Sequence, residues 1–311
     1  MSTPEIIPPA IPTESVPPQL PNTVFRGPKG IRAGWRALIF LAIVGALLTL
    51  VSIVAVVLFH GRLGAMNQLT PSGVALSDGV IFLLTAIPAL IMSRIEHRKF
   101  SQYGLPLHNA FQTDFWTGTL AGFLAISGCL FGIFIFRGFH LTGLAIHGAT
   151  IISAMVKWGL AFAVVGLAEE FAFRGYLQYT LTAGMKFWPS AVLLSALFGF
   201  AHASNPGESK AGLLSVFLFG LLFCLFLRRT GNLWWPVGFH AGWDWGQTFF
   251  YGVPDSGIAA TNNFFNSSFS GAAWLTGGTV GPEASFFAPI VLIAVAIWFT
   301  RRYREIRYQP S

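Results

Sequence analysis

Long apolar runs separated by short polar segments dominate the chain. A helix needs about 20 apolar residues to cross the hydrocarbon layer of a bilayer, and eight runs have about that length. They lie at about 35–59, 76–93, 114–136, 151–173, 188–204, 211–227, 232–251 and 285–300. The pattern predicts an all-α fold: a polytopic membrane helical bundle of about eight transmembrane helices.

The amino-acid composition excludes several classes of protein. The 311 residues are 54% hydrophobic and 10% charged, with a mean hydropathy of +0.63, whereas soluble globular proteins contain about 25% charged residues. This excludes an ordinary soluble enzyme and a largely disordered protein. The net charge of +7 does not indicate a nucleic-acid partner, because most basic residues lie between apolar runs, as in polytopic membrane proteins. The expected surroundings are a lipid bilayer.

The N-terminal segment differs from the rest of the chain. Residues 1–22 contain seven prolines, which favour extended conformations and cannot build a core. We predict a disordered, Pro-rich cytoplasmic tail over residues 1–30. The transmembrane domain is predicted to cover residues 31–311, with its core motifs at 150–251.

The basic residues predict the orientation. Eight crossings place both termini on one side, where 14 Lys and Arg residues flank the apolar runs, whereas the other side has three: Arg62, Arg137 and Lys210. Cytoplasmic loops carry an excess of Lys and Arg. The sequence therefore predicts an integral protein of the inner (cytoplasmic) membrane with both termini in the cytoplasm.

Ionisable residues within the fourth apolar run are the first candidate functional groups, because such residues are costly in a membrane. Glu170 and Arg174 are four residues apart, so they share a helix face and can form an ion pair. Glu169 is rotated about 100° away and has no such local partner. The alternative is a structural ion pair at a helix end.

His202, in the fifth run, is the second candidate. The turn between the fourth and fifth runs is centred near residue 185, with Glu169 16 residues before it and His202 17 residues after it. Equal distances from the turn of an antiparallel helix pair mean equal depth. The two side chains are therefore predicted to meet at one level, although a lone His on an apolar helix is more often a core residue.

The seventh run holds the third candidate, His240 with Asp244. They are four residues apart, so Asp244 can hold or polarise the imidazole. Gly238, Gly242 and Gly246 recur every four residues, which allows another helix to pack closely. The alternative is a packing seam with one buried polar pair.

These groups can form a hydrolytic site. A Glu can accept a proton from water as a general base, and a His can assist it or stabilise an oxyanion. Alternatively, Glu169, His202 and His240 match a His₂Glu zinc set with an open position for water. The usual zinc motif His-Glu-x-x-His is absent, so a divalent metal such as zinc and no cofactor at all are both open.

Together the three motifs resemble those of the CPBP intramembrane proteases, the CAAX-protease and bacteriocin-processing family related to type II CAAX prenyl endopeptidases. The resemblance covers about residues 150–251. The motifs are Glu169-Glu170-x-x-x-Arg174, Phe198-x-x-x-His202 and His240-x-x-x-Asp244. It implies that Glu169 activates water with help from His202, and that His240 and Asp244 hold the oxyanion. Eukaryotic-type members often carry Asn at the position of Asp244, and the family leaves a metal-dependent and a metal-free glutamate mechanism open.

The resemblance implies an endopeptidase that hydrolyses peptide bonds of membrane-associated proteins or peptides, including prenylated or CAAX-like ones. Two other classes compete with this reading. One is a catalytically inactive membrane scaffold or immunity protein. The other is an ion-coupled transporter that uses Glu169, Glu170 and Asp244 as ion sites, against which stands the lack of a repeat of broken helices.

Overall fold

The computed structural model describes residues 23–28, 30–59, 68–205 and 207–309. Apolar runs become helices at nearly the predicted bounds, which confirms the all-α membrane fold. The α-helices of the described residues are α1 (Ala33–Phe59), α2 (Pro71–Ile95), α3 (Thr113–Ile135), α4 (Ala149–Arg174), α5 (Tyr176–Met185), α6 (Phe187–Ala201), α7 (Lys210–Thr230), α8 (Trp234–Asp244), α9 (Ala273–Thr276) and α10 (Phe287–Arg302).

Not all eight predicted crossings have the length of a span. Within the described residues, six helical segments are long and apolar enough to cross a membrane, with α4 and α5 counted as one segment. The predicted run at 232–251 forms α8, which continues as a π-helix over Trp245–Phe250, and the run at 285–300 forms α10. Because α8 and α10 have only 11 and 16 residues, the count of eight transmembrane helices is not confirmed.

The first described residues form a short hairpin before α1. Residues 1–22 lie outside the described residues. In the hairpin, β1 (Arg26–Gly27) pairs antiparallel with β2 (Gly30–Ile31). The indole of Trp35 on α1 donates to the carbonyl of Val24 at 3.0 Å. This bond ties the hairpin to the first helix.

The core lies among the later helices. Trp235 of α8 packs against Phe226 of α7 and Phe299 of α10, with ring centroids 4.3 and 4.6 Å apart. In contrast, one apolar stretch of 18 residues in α1 contains no buried residue, and the buried residues Arg36, Ala37 and Phe40 lie near the start of the helix. The apolar surface of α1 is therefore available to lipid, whereas α7, α8 and α10 form a protein interior.

A two-stranded sheet joins two of the connections between helices at one end of the bundle. β3 (Phe139–Leu144), which follows α3, pairs antiparallel with β4 (Phe265–Phe269) in the connection after α8. The same connection bridges to Leu69, before α2, through Ala260. We call this end of the bundle the cap side, and residues 252–284 the cap.

The predicted glycine seam of α8 is confirmed and faces α3. A Cβ on Gly238 would lie 2.0 Å from the carbonyl oxygen of Phe115, and a Cβ on Gly242 would lie 2.0 Å from that of Thr119. Both distances are far inside van der Waals contact. Only glycine permits the two backbones to approach this closely.

Replacing Gly242 with alanine is expected to destabilise the bundle, because the new methyl group must push α8 away from α3. Overpacking of this kind costs about 1–3 kcal/mol. Thermal unfolding in detergent measures the loss. The matched control is Gly79→Ala on α2, where an added Cβ meets nothing within 4 Å. Equal stability of the two variants would contradict the packing described here.

Candidate active site

One cavity of about 370 Å³ gathers the polar groups of the bundle. Helices α2, α4, α6, α7 and α8 form its walls, and the cap contributes on the cap side. Its ionisable lining side chains are Glu169, His202, His240 and Asp244, which the motifs predicted, together with Asp78, Asp255 and Glu283.

Close approach of α8 to α4 brings the predicted groups together. Gly166 on α4 allows this approach, because a Cβ there would lie 2.7 Å from the carbonyl oxygen of Val237 and 3.4 Å from Cβ of His240. Glu169 and Glu170 follow Gly166 by about one helical turn. Their carboxylates therefore reach the imidazole of His240.

His240 is the centre of the site. Its Nε2 lies 3.4 Å from Oδ2 of Asp244 and 3.7 Å from Oε2 of Glu169, whereas its Nδ1 lies 3.0 Å from Oε1 of Glu170. Both ring nitrogens thus face carboxylate oxygens, which accept hydrogen bonds when ionised. The imidazolium form satisfies both sides, so His240 is arranged as a cationic double donor.

A buried ion pair, Glu170 with Arg174, contacts this imidazole on its Nδ1 side. Glu170 and Arg174 are fully buried, with Nη1 of Arg174 3.5 Å from Oε1 of Glu170. The guanidinium lies 4.3 Å from the ring centroid of Phe198, an arrangement that stabilises a desolvated cation. The pair has the geometry expected from the sequence, and Glu170 also holds Nδ1 of His240. The orienting role that the sequence left open for Asp244 therefore falls on Glu170.

His202 lines the same cavity from the end of α6. Its Nδ1 lies 2.9 Å from the carbonyl oxygen of Phe198, and a carbonyl only accepts, so Nδ1 is the donor. In the neutral imidazole, Nε2 is then left as an acceptor. Among the described residues no hydrogen bond or ion pair joins His202 to Glu169; the imidazole beside Glu169 is that of His240.

Sequence reasoning missed three acidic residues of the cavity. Asp78 lies within the second apolar run, and a carboxyl group in such a run is the same signal that singled out Glu169. Asp255 and Glu283 lie in the cap. They have no comparable signal, because only the folding of the cap over the helices brings them to the cavity.

Hydrogen bonds fix these two carboxyl groups. The backbone N–H of Ser256 donates to Oε1 of Glu283 at 2.7 Å, and Nε2 of Gln247 donates to Oε2 at 3.3 Å. The hydroxyl of Thr248 donates to Oδ2 of Asp255 at 2.9 Å. The π-helix that follows α8 therefore anchors both ends of the cap.

Burial changes the acidity of the cap carboxyl groups. It raises the pKa of Glu283 to about 8, with the charge of Asp255 as a second cause. It also raises the pKa of Asp255 to about 6, against the opposing effect of the hydrogen bond from Thr248. Both groups bind a proton more tightly in the folded cap than in water.

The cap is expected to loosen as the pH rises. The ordinary pKa of Glu283 is 4.5 and the folded value is about 8, so its protonation contributes stability fully below the ordinary value, and that contribution is lost as the pH rises through the folded one. Hydrogen-exchange protection of the cap amides, corrected for intrinsic rates, should fall across this range. Glu283→Gln should flatten the pH dependence, whereas Glu305→Gln, at an exposed site, should not. An unchanged slope in Glu283→Gln contradicts this account.

The zinc alternative is not supported by the arrangement of its candidate ligands. His240 directs both nitrogens at carboxylates, and Nδ1 of His202 is bonded to a backbone carbonyl. In the part of the chain that the structure describes, no group of three or more His, Cys, Asp or Glu side chains could hold a metal ion. Glu169, His202 and His240 therefore do not fit a metal ion.

Comparison with known proteins agrees with the motifs. A family model for type II CAAX prenyl endopeptidases, described as Rce1-like, matches residues 151–246. This stretch contains Glu169, His202, His240 and Asp244. No curated protein matches the chain. With helices that can cross a membrane and an Rce1-like domain at residues 151–246, the chain is an integral membrane protein, and this domain supports the resemblance of its motifs to the CPBP proteases.

Proposed function

We propose that the protein is an endopeptidase that hydrolyses peptide bonds of membrane-associated proteins or peptides with water activated by Glu169. One observation carries the proposal. The carboxylate of Glu169, whose side chain is 22% exposed, faces the cavity and lies 3.7 Å from Nε2 of His240. A base and a cationic donor thus meet in a space of about 370 Å³.

Each group has a defined step. Glu169 accepts a proton from water as the water attacks the substrate carbonyl, and Nε2 of His202 is an acceptor that helps to hold this water. Charge then develops on the carbonyl oxygen, where Nε2–H of His240 donates to it. Glu169 passes the proton to the leaving amine. Glu170 and Arg174 keep the imidazole in place throughout.

Asp244 lies beside the expected position of the oxyanion. Its Oδ2 atom is 3.4 Å from Nε2 of His240, the same nitrogen that Glu169 faces. An ionised carboxylate repels an oxyanion, so Asp244 serves there in its protonated form, as a donor. Its place on α8 puts it one turn beyond His240.

Asp244→Asn is therefore expected to keep most of the activity, because the amide also donates a hydrogen bond. Asp244→Leu, which has similar bulk and no donor, should lose far more. Measurement of kcat/KM for the two variants checks this. A loss of about 10–100-fold in Asp244→Asn, typical of a lost supporting carboxylate, would show that the ionised group is required to support His240.

The proposal is tested with the purified full chain in detergent and membrane-anchored peptides, prenylated CAAX-type and unprenylated, followed by mass spectrometry of the products. We expect two complementary fragments for each cleaved bond, from the wild type and not from Glu169→Gln. A folded wild-type protein that cuts none of these peptides would speak for the scaffold alternative.

A further inference from the structure

The two ends of the bundle can be told apart by their contacts. On the cap side, the connection after α6 joins the cap, because Thr279 donates to the carbonyl of Gly207 at 2.9 Å. At the opposite end, the N–H of Leu233 donates to the carbonyl of Gly104 at 2.7 Å. The connections after α1, α3, α6 and α8 thus share the cap side, and those after α2 and α7 share the other, which we call the basic side.

The segment after α10 also belongs to the basic side. The N–H of Arg307 donates to the carbonyl of Arg228 at the end of α7, at 3.1 Å. The start of α1 lies at this end too, where Arg36 pairs with Glu96 at 2.6 Å. The connections between the helices therefore alternate between the two sides in the order that was used to assign Lys and Arg residues to each side.

Charge is distributed unequally between these ends. Of the described Lys and Arg residues that flank the helices, 13 lie on the basic side and two, Arg137 and Lys210, lie on the cap side. Short cytoplasmic connections carry the excess of Lys and Arg in membrane proteins. The charge distribution therefore predicts that the basic side is cytoplasmic and the cap side extracytoplasmic.

The active-site cavity reaches the cap side only. Its lining residues outside the α-helices all come from cap-side connections: Leu69, His202, Asn205, Asp255, Ser256, Ile258 and Glu283. Toward the basic side, the buried Glu170–Arg174 pair and Phe171, all on α4, close the cavity. Beyond these, Tyr103 packs on Tyr176 with ring centroids 5.0 Å apart. Among the described residues, no basic-side connection lines the cavity.

We infer, on the basis of the proposed function, that the catalytic cavity opens to the extracytoplasmic side. Its substrate is then a peptide bond in an extracytoplasmic segment close to the membrane, in an exported or membrane-anchored protein or peptide. A CAAX sequence at a cytoplasmic C-terminus lies on the wrong side of the bilayer for this cavity. The cap, with Ser256 at the cavity, is the part of the chain that such a substrate meets first.

Cysteine labelling tests the orientation. The two native cysteines, Cys129 and Cys224, are buried, so the wild type provides a low background. Three single variants are compared: Ser268→Cys on the exposed cap, Ser101→Cys on the exposed basic side, and Ser256→Cys at the cavity. Intact cells receive a membrane-impermeant maleimide before or after permeabilisation.

We expect Ser268→Cys and Ser256→Cys to be labelled in intact cells, and Ser101→Cys only after permeabilisation. The reverse pattern overturns the inference. It is also overturned if Ser256→Cys does not react from outside while Ser268→Cys does, because the cavity would then be closed to the extracytoplasmic side.

The outcome is independent of whether the protein is a peptidase. In detergent both ends of the bundle are open to a soluble or micelle-bound peptide. A purified protein that cleaves peptides but shows the reverse labelling pattern keeps the proposed function and loses the inferred orientation. A protein with the expected labelling that cleaves nothing keeps the orientation and loses the function.

Discussion

Arg174→Ala is expected to lower both the folded yield and the activity. The guanidinium is fully buried and pairs with the equally buried Glu170, so its removal leaves a carboxylate uncompensated in the interior. Breaking a buried pair in this way costs about 3–5 kcal/mol. Yield after detergent extraction and the thermal midpoint of the purified protein measure the effect.

Arg307→Ala is the matched control. Arg307 also pairs with an acidic residue, Glu305, at 2.9 Å, but the two side chains are 61% and 75% exposed. Exposed pairs contribute little because water already solvates both charges, so this variant should behave as the wild type. If Arg174→Ala accumulated, unfolded and cleaved like Arg307→Ala, the supporting role of the buried pair would be wrong.

Glu169→Gln is expected to abolish most cleavage while leaving the fold intact. Glutamine has the shape of glutamate but cannot accept the proton of the attacking water. General-base assistance accounts for about 10²–10⁴-fold in rate, and that factor should be lost from kcat. The thermal midpoint should change little, because Glu169 faces the cavity and its nearest charged contact, to His240, is long at 3.7 Å.

Glu305→Gln controls for the chemical change itself, since it removes the same charge at an exposed site. Its cleavage rate should equal that of the wild type. Together with Arg174→Ala, the Glu169→Gln variant separates an effect on stability from an effect on the proposed reaction: we expect Arg174 to support the fold and Glu169 to act on water.

Local patterns predicted the helices well. The run at 114–136 became Thr113–Ile135, and the glycines at four-residue spacing in α8 mark a close helix contact. Hydrophobic length and small-residue spacing are properties of a single helix, so a sequence states them directly. The pairing of β3 with β4 joins segments more than 120 residues apart, and no local pattern predicts it.

The sequence named four of the seven ionisable residues that line the cavity, but not the contacts between them. Because Glu169 and His202 are about equally far from the turn between their helices, they were predicted to lie at one depth, and both residues do line one cavity. The direct neighbour of Glu169 is nevertheless His240, because α8 packs against α4 at Gly166. The glycine spacing indicated close packing without specifying the partner helix. Asp255 and Glu283 depend wholly on the folding of the cap.

A double-mutant cycle on cleavage tests the central claim most directly, namely that Glu169 and His240 form one hydrolytic unit. The rates of the wild type, Glu169→Gln, His240→Gln and the double variant are compared in one detergent preparation, with folding verified by thermal unfolding. Residues that act as a unit have strongly non-additive effects, so the double variant should be about as slow as the slower single variant. If the two losses instead multiplied, or if Glu169→Gln cleaved like the wild type, the account would be contradicted.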